Sequence, residues 1–142
     1  EIVITDITRT EQNKAMRQVA SKLRLDLAQY RELVTFAQFG TELDKTTQAQ
    51  LLRGERMVEI LKQTQFEPLP VAQQIMIIFA GSQGYLDQVP VGSIKRFEKE
   101  FTRYMDTKHP ALEEEIETRK ELTPELAARL SQAILEFKAQ FQ

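Results

Sequence analysis

The residues of this sequence that could carry out chemistry are few and poorly grouped. Its 142 residues include no cysteine and a single histidine, His109. Zinc sites of the Cys/His type, thiol nucleophiles and any triad that needs a second histidine are therefore excluded from these residues. His109 precedes Pro110 in a polar stretch, and we interpret it as a surface turn residue without a chemical role.

Two other groups have suitable residue types without suitable spacing. The stretch Gly81-Ser82-Gln83-Gly84 lacks the lysine and the glycine spacing of a phosphate-binding loop, so nucleotide binding by these residues alone is not expected. The carboxylates at 113–117 form a run, which is typical of a solvated helix face. We therefore predict no metal site and no catalytic residue from composition and spacing.

The charge balance also limits the choice of partners. Lys and Arg total 19 and Asp and Glu total 21, for a net charge of -2, so binding to a nucleic-acid backbone is not expected. No apolar run approaches the roughly 20 residues that span a bilayer, and residues 1–10 do not have a signal-peptide pattern. The absence of cysteine favours an intracellular or organelle-interior setting.

Two long helices are predicted near the N-terminus. Apolar residues recur there every three or four positions, which indicates a helix over residues 11–39 that Gly40 ends. Thr41 is predicted to cap a second helix over 44–63, which must end before Pro68.

Four further helices are predicted. Segment 71–80 is so apolar that a buried strand or a buried helix would fit, and its start at residues 72–74 favours the helix. The other three helices begin at Pro90, Pro110 and Pro124, since proline is tolerated in the first turn.

The predicted fold class is therefore all-α, a bundle of about six helices. Residues 11–142 form the helical domain, and residues 1–10 are a short strand remnant or a divergent leader. Phe97, Phe101 and Phe137 lie at helical spacing and are assigned to the core.

The first two helices have two notable positions. Residues 39–44 join them and place Leu43 between the acidic Glu42 and Asp44. Periodicity leaves open whether this turn is an ordinary connector or a projecting element that contacts a partner. Gly54 lies on the apolar face of the second helix, where glycine is costly, and we expect it to allow close approach by a neighbouring helix.

Several blocks of residues, in order and in register, resemble the C-terminal helical domain of the alpha subunit of F-type ATP synthases. The match begins at Gln12, is strong to about Phe101 and is looser from there to the end. Independent blocks in one register are more specific than any single short motif. The blocks are LDLAQYREL at 25–33, FAQFG at 36–40, LDK at 43–45, TQ at 47–48, RG at 53–54, LKQ at 61–63, PLPV at 68–71, GYLD at 84–87 and RFEKE at 96–100.

The resemblance implies two sets of site residues. In the family, the glutamines of a Lys-Gln-x-Gln segment contact the adenine of a non-catalytic nucleotide, and Gln63 and Gln65 occupy those positions. The turn with Glu42, Leu43 and Asp44 corresponds to a loop near the rotating central shaft, so these three residues are expected to contact the shaft.

The resemblance implies a third site residue, an arginine in a Ser-Arg-Val-Gly segment that reaches a catalytic site and stabilises the transferring phosphoryl group. Arg9 is the candidate, but the segment departs from the motif. Aligning Gln12 without gaps places Asp6 at the arginine, and using Thr8 and Arg9 requires three missing residues.

The resemblance also implies the setting. The family's phosphate loop and magnesium site lie in an upstream domain, so ATP or ADP with Mg²⁺ belongs to the whole subunit, and no cofactor and no catalysis are expected of these residues alone. The partners would be beta subunits and the gamma shaft of a proton-translocating enzyme, peripheral to a membrane on the bacterial cytoplasmic, mitochondrial matrix or chloroplast stromal side. The alternative is a stand-alone helical protein-interaction module.

Overall fold

The structure is a computed structural model that describes residues 13–39, 42–66 and 69–141, with the side chains of 64–66 left out. These residues contain six α-helices and no strand, which confirms the all-α prediction; the strand remnant predicted within residues 1–10 lies outside them. The helices are α1 (Lys14–Gln38), α2 (Lys45–Phe66), α3 (Val71–Ser82), α4 (Ile94–Lys108), α5 (Pro110–Arg119) and α6 (Pro124–Gln140).

Helix α1 is bounded by residues that satisfy its free backbone groups. The side chain of Asn13 accepts a hydrogen bond from the Met16 amide at 3.1 Å, which caps the N-terminus. At the other end the Phe39 amide donates to the Phe36 carbonyl at 3.1 Å. The predicted cap Gly40 lies outside the described residues.

Helix α2 begins later than its predicted cap would place it. The residue that caps it is Asp44, whose Oδ1 accepts a hydrogen bond from the Thr47 amide at 2.8 Å. Thr41, which was predicted to cap this helix, lies outside the described residues. The helix continues to Phe66, three residues beyond the predicted end.

Helix α3 is the buried centre of the bundle. Ile75, Met76, Ile77 and Ile78 are all fully buried, and the helix contacts α1, α2, α5 and α6. A helix with neighbours on all sides buries every face, which explains why its sequence lacks amphipathic periodicity. The buried-helix prediction is therefore confirmed.

Helices α4 and α6 pack through aromatic side chains. The Phe97 ring lies 5.1 Å from that of Phe137 in an edge-on arrangement, and the Phe101 ring lies 5.6 Å from that of Phe137. The Thr123 hydroxyl caps α6 by accepting a hydrogen bond from the Leu126 amide at 3.2 Å. The assignment of these phenylalanines to the core is confirmed.

Candidate functional site: the α1–α2 hairpin

The antiparallel pair α1 and α2 extends beyond the core. In α1 the last buried residue is Leu27, and in α2 the first is Gly54. Every described residue between them, over 28–39 and 42–53, is exposed or half-buried. We call this stretch the hairpin; it is a projecting element with few core contacts.

The hairpin carries exposed aromatic side chains. Phe36 is 56% exposed and Phe39 is 79% exposed. They lie three residues apart, so they are neighbours on one face of the helix end. Isolated exposed apolar residues are common, but two phenylalanines on a projecting tip form a surface suited to burial against a partner.

The three predicted shaft-contact residues differ in their surroundings. Glu42 is exposed. Leu43 is half-buried, and its carbonyl accepts a hydrogen bond from Gln48 Nε2 at 3.2 Å. The side chain of Asp44 is exposed and turns back to cap α2, and hydrogen bonds from Thr47 lower the pKa of its carboxyl. Asp44 therefore gives the tip a negative charge and also caps the N-terminus of α2.

Close packing holds the two helices together at the base of the hairpin. A Cβ on Gly54 would overlap the ring and Cβ of Tyr30, so α2 can approach α1 at this point only because the residue is glycine. This confirms the predicted close approach and identifies its partner.

Two arginines of α2 fix the base of the hairpin to the loop that follows α3. Arg53 Nη2 donates to Asp87 Oδ2 at 3.0 Å. The buried Arg56 donates from Nε to the Val89 carbonyl at 3.0 Å. Gly84 has a φ of 87°, and a Cβ there would lie 2.6 Å from Arg53 Nη2, so glycine is needed both for the turn and for the approach of the guanidinium.

A half-buried carboxylate of α1 lies near the same arginine. Burial raises the pKa of Asp26, and the positive charges of Lys22 and Arg53 oppose that effect. Lys22 Nζ lies 3.8 Å from Asp26 Oδ1. Sequence reasoning missed these polar contacts, although Arg53 and Arg56 lie at the helical spacing of the buried stripe.

The predicted adenine-contact residues are placed only in part. Gln63 is half-buried, and its Nε2 donates to Glu59 Oε1 at 3.0 Å. It lines a cavity of about 70 Å³ together with Leu69, Lys95, Glu98, Lys99 and Thr102. The side chain of Gln65 lies outside the described part of the molecule, as does Arg9.

A polar cluster that the sequence did not reveal joins three helices of the bundle. Gln73 Nε2 in α3 lies 3.0 Å from Glu113 Oε1 in α5 and 3.3 Å from Asp106 Oδ1 in α4. Burial raises the pKa of Glu113 to about 7, with a further contribution from its hydrogen bond to Asp106. Glu113 is therefore more than the solvated residue that its acidic run suggested.

His109 is half-buried and has a defined partner, whereas it was predicted as a surface turn residue. It lies between α4 and α5, and its Nε2 is 3.0 Å from Glu136 Oε2. Tyr104 donates to the same oxygen at 3.1 Å. The turn position is confirmed, and the contact with Glu136 adds a link to α6.

Across 13–39, 42–66 and 69–141, no group of three or more metal-ligating side chains could hold a metal ion. Over the same ranges no helix has both the length and the apolarity to cross a bilayer.

Comparison with known proteins identifies relatives of this protein. Residues 12–137 match the family described as ATP synthase alpha/beta chain, C terminal domain. The sequence is also similar to the ATP synthase subunit alpha of Desulforudis audaxviator (strain MP104C), with 53% identity over 130 residues. That match covers 92% of this sequence and 26% of the relative, so the protein spans about a quarter of the curated relative it matches.

Proposed function

This protein belongs to the family formed by the C-terminal domains of ATP synthase alpha and beta subunits and is of the alpha type, and we propose that it acts as part of an ATP synthase alpha subunit. In that role it contributes the helical end of a ring of alpha and beta subunits around a rotating gamma shaft. The hairpin, with Glu42, Leu43 and Asp44 at its tip, is the part that contacts the shaft.

The observation that supports this proposal is the hairpin's lack of burial. A helix pair whose described residues 28–39 and 42–53 contribute none to the core gains little stability from its own bundle. The exposed Phe36 and Phe39 at its end supply apolar area for a partner. Such an arrangement is expected where a second protein covers the surface.

The base of the hairpin suits the transmission of force. Tyr30 packs on Gly54, and Arg53 and Arg56 hold the loop after α3. A load applied at the tip is therefore passed to the buried core through packed and hydrogen-bonded groups, whose arrangement resists deformation.

In the proposed role, this protein forms one edge of a non-catalytic nucleotide pocket. A glutamine amide offers both a donor and an acceptor, which suits an adenine edge, and Gln63 and Gln65 are proposed to provide it. The cavity beside Gln63 has about 70 Å³, whereas pockets for drug-sized ligands have roughly 300–1,000 Å³. Gln63 therefore fits a pocket that other domains complete, with ATP or ADP and Mg²⁺ bound by the whole subunit.

Catalysis and location follow from the same assignment. We infer that the 142-residue chain alone does not hydrolyse ATP, and that it is peripheral to the membrane through the complex, on the cytoplasmic, matrix or stromal side. The inference would be contradicted if the 142-residue protein hydrolysed ATP and if the substitution Gln63→Ala abolished that activity.

Photocrosslinking in the intact membrane-bound complex tests the shaft contact. The photoreactive amino acid p-benzoylphenylalanine replaces Phe39 in the full-length protein, and the complex is illuminated in native membranes. We expect a covalent product that joins this protein to the shaft subunit, because Phe39 is the most exposed large apolar residue of the hairpin.

The same substitution at the exposed Gln132 of α6 is the matched control and should give no product with the shaft. A shaft product from position 132 and none from position 39 would contradict the proposed contact. Purification of the protein as a free monomer without beta and gamma partners would overturn the assignment as a whole and favour a stand-alone interaction module.

A further inference from the structure

The carboxylate of Asp26 in α1 is enclosed next to the base of the hairpin without a hydrogen bond to its inner oxygen. The side chain is 12% exposed, and Oδ2 is buried and accepts no hydrogen bond from the described residues. Lys22 Nζ lies 3.8 Å from the other oxygen, Oδ1, which is beyond hydrogen-bond distance. Buried acceptors are nearly always paired, because an unpaired one keeps the full cost of leaving water.

The enclosure of Asp26 limits which group could pair with it. Because protein atoms surround Oδ2, the donor has to be a side chain that is already packed there, and not a molecule from solution. Two cations act on this carboxylate, Lys22 and Arg53, and both oppose the rise of its pKa that burial causes. Lys22 approaches Oδ1, which leaves Arg53 as the donor for Oδ2.

Arg53 lies where the two helices of the hairpin pack most closely. Its neighbour Gly54 lies against Tyr30, since a Cβ on Gly54 would overlap that side chain. Asp26 comes four residues before Tyr30, so both lie on the face of α1 that meets α2. The guanidinium of Arg53 and the carboxylate of Asp26 are therefore neighbours across the helix pair.

A different carboxylate holds Arg53 in the structure. Nη2 donates to Asp87 Oδ2 at 3.0 Å, and Nε donates to Asp87 Oδ1 at 3.4 Å. Asp87 is also close enough to Asp26 for its negative charge to raise the pKa of Asp26. One guanidinium thus lies between two carboxylates, and only one of them is hydrogen-bonded to it.

We propose that Arg53 is a two-position latch, whose guanidinium leaves Asp87 and donates to Asp26 Oδ2 instead. In the first position α2 is tied to the loop that follows α3, and in the second it is tied to α1. Each position pairs the guanidinium with one carboxylate, so the two arrangements make interactions of the same kind.

The latch changes how the hairpin is attached to the bundle. The hydrogen bond from Arg56 Nε to the Val89 carbonyl is kept in both positions. Transfer of Arg53 to Asp26 therefore joins α1 and α2 more firmly and removes one of the two arginine links to the loop after α3. The latch is a property of the helix pair itself and does not rest on the proposed shaft contact.

Proton exchange with water at the Nε–H group of Arg53, measured by NMR on the ¹⁵N-labelled 142-residue protein, tests the latch. With Asp87→Asn, exchange should stay within about threefold of the unaltered protein, because Asp26 takes over the guanidinium. Adding Asp26→Asn should speed exchange by about tenfold or more, since no charged acceptor is left. The full rise with Asp87→Asn alone, or no rise in the double variant, would overturn the proposal.

A second variant displaces the guanidinium without removing either carboxylate. A Cβ on Gly84 would lie 2.6 Å from Arg53 Nη2, so Gly84→Ala should drive Arg53 away from Asp87. We expect slow exchange at Arg53 Nε in this variant and about tenfold faster exchange when Asp26→Asn is added. Fast exchange in Gly84→Ala alone would contradict the latch, and this result does not depend on the folding of Asp87→Asn.

Two controls isolate the role of Asp26. Glu32→Gln, at an exposed carboxylate of the same helix, should add nothing when it is combined with Asp87→Asn. The Nε–H group of Arg56, which donates to the Val89 carbonyl, should keep its exchange rate in every variant and so reports that the loop is intact. An equal effect of Glu32→Gln and Asp26→Asn would show that Arg53 does not select Asp26.

Discussion

Helix α3 and the outer half of α1 have the same backbone conformation and are stabilised in different ways. In α3 the run from Ile75 to Ser82 is entirely buried, whereas no residue of α1 beyond Leu27 is buried. The first depends on burial of apolar surface, which is the largest favourable contribution to folding. The second depends on its caps and on the contacts at the base of the hairpin, and its surface stays exposed or half-buried.

The largest effect should come from truncating the core helix. Ile77→Ala removes a fully buried side chain and leaves a cavity, so we expect the free energy of unfolding to fall by about 3 kcal/mol. Phe36→Ala on the hairpin is the comparison and should change it by less than about 0.5 kcal/mol. Urea unfolding followed by circular dichroism measures both, and equal losses would break the distinction between the two regions.

The next effect concerns the base of the hairpin. Gly54→Ala places a methyl group where Tyr30 lies, and we expect a loss of about 2 kcal/mol from overpacking. Tyr30→Ala should relieve the overlap, so the double variant should be more stable than the sum of the two single changes predicts. Strict additivity in this double-mutant cycle would show that the two positions do not interact.

A smaller effect should appear as a pH dependence of stability that arises from the polar cluster of Gln73, Asp106 and Glu113. The folded-state pKa of Glu113 is raised from 4.5 to about 7, so the folded state holds this proton more tightly than the unfolded state does. The contribution of this group to the free energy of unfolding is fully present below pH 4.5 and is lost as the pH rises through about 7.

Because solvent partly screens the half-buried side chain of Glu113, we expect this group to contribute only roughly 1 kcal/mol to the free energy of unfolding. Three helices face the carboxyl: α3 presents Gln73 and has no ionisable residue, α4 presents Asp106, and α5 itself presents Glu117. Glu113→Gln, which resembles the protonated form, should reduce the difference in melting temperature between pH 5 and pH 8. Glu114→Gln, exposed on the same helix, should keep it; an unchanged difference in Glu113→Gln would contradict the role of the cluster.

The smallest effect is local to the tip of the hairpin. Asp44→Ala removes the hydrogen bond to the Thr47 amide, and hydrogen exchange at that amide should become roughly fivefold faster. The amides of α3 should not respond. Unchanged exchange at Thr47 would mean that Asp44 does not cap α2 in solution.

The sequence predicted elements better than it predicted contacts. Proline positions and apolar periodicity located all six helices, and the glycine in the stripe of α2 correctly indicated close packing at Gly54. The first residue of α1 and of α2 depends on which polar side chain accepts a hydrogen bond from a backbone amide of the first turn. Asn13 and Asp44 were not identified as these caps. Both lie among several residues of equal capping propensity, so composition could not choose between them.

The site was predicted less completely, for a physical reason. The hydrogen bonds from Arg53 to Asp87 and from Gln73 to Asp106 and Glu113 each join residues more than 30 positions apart. Such pairings depend on how helices cross, which periodicity does not encode. The position of Leu43 between two acidic residues drew attention to the turn, but periodicity left open whether it is a connector or a projecting element. The exposure of residues 28–39 and 42–53 favours the projecting element. The contacts proposed for Glu42, Leu43, Asp44, Gln63 and Gln65 stay predictions.

Hydrogen exchange measured by mass spectrometry, on the 142-residue protein alone and on the full-length subunit in its purified complex, tests the central claim most directly. The claim is that the hairpin is the surface that a partner covers. We predict that exchange in residues 28–39 and 42–53 slows strongly in the complex, while exchange in α3 is already slow in the protein alone and changes little. A hairpin that exchanges as fast in the complex as in the isolated protein would contradict the account.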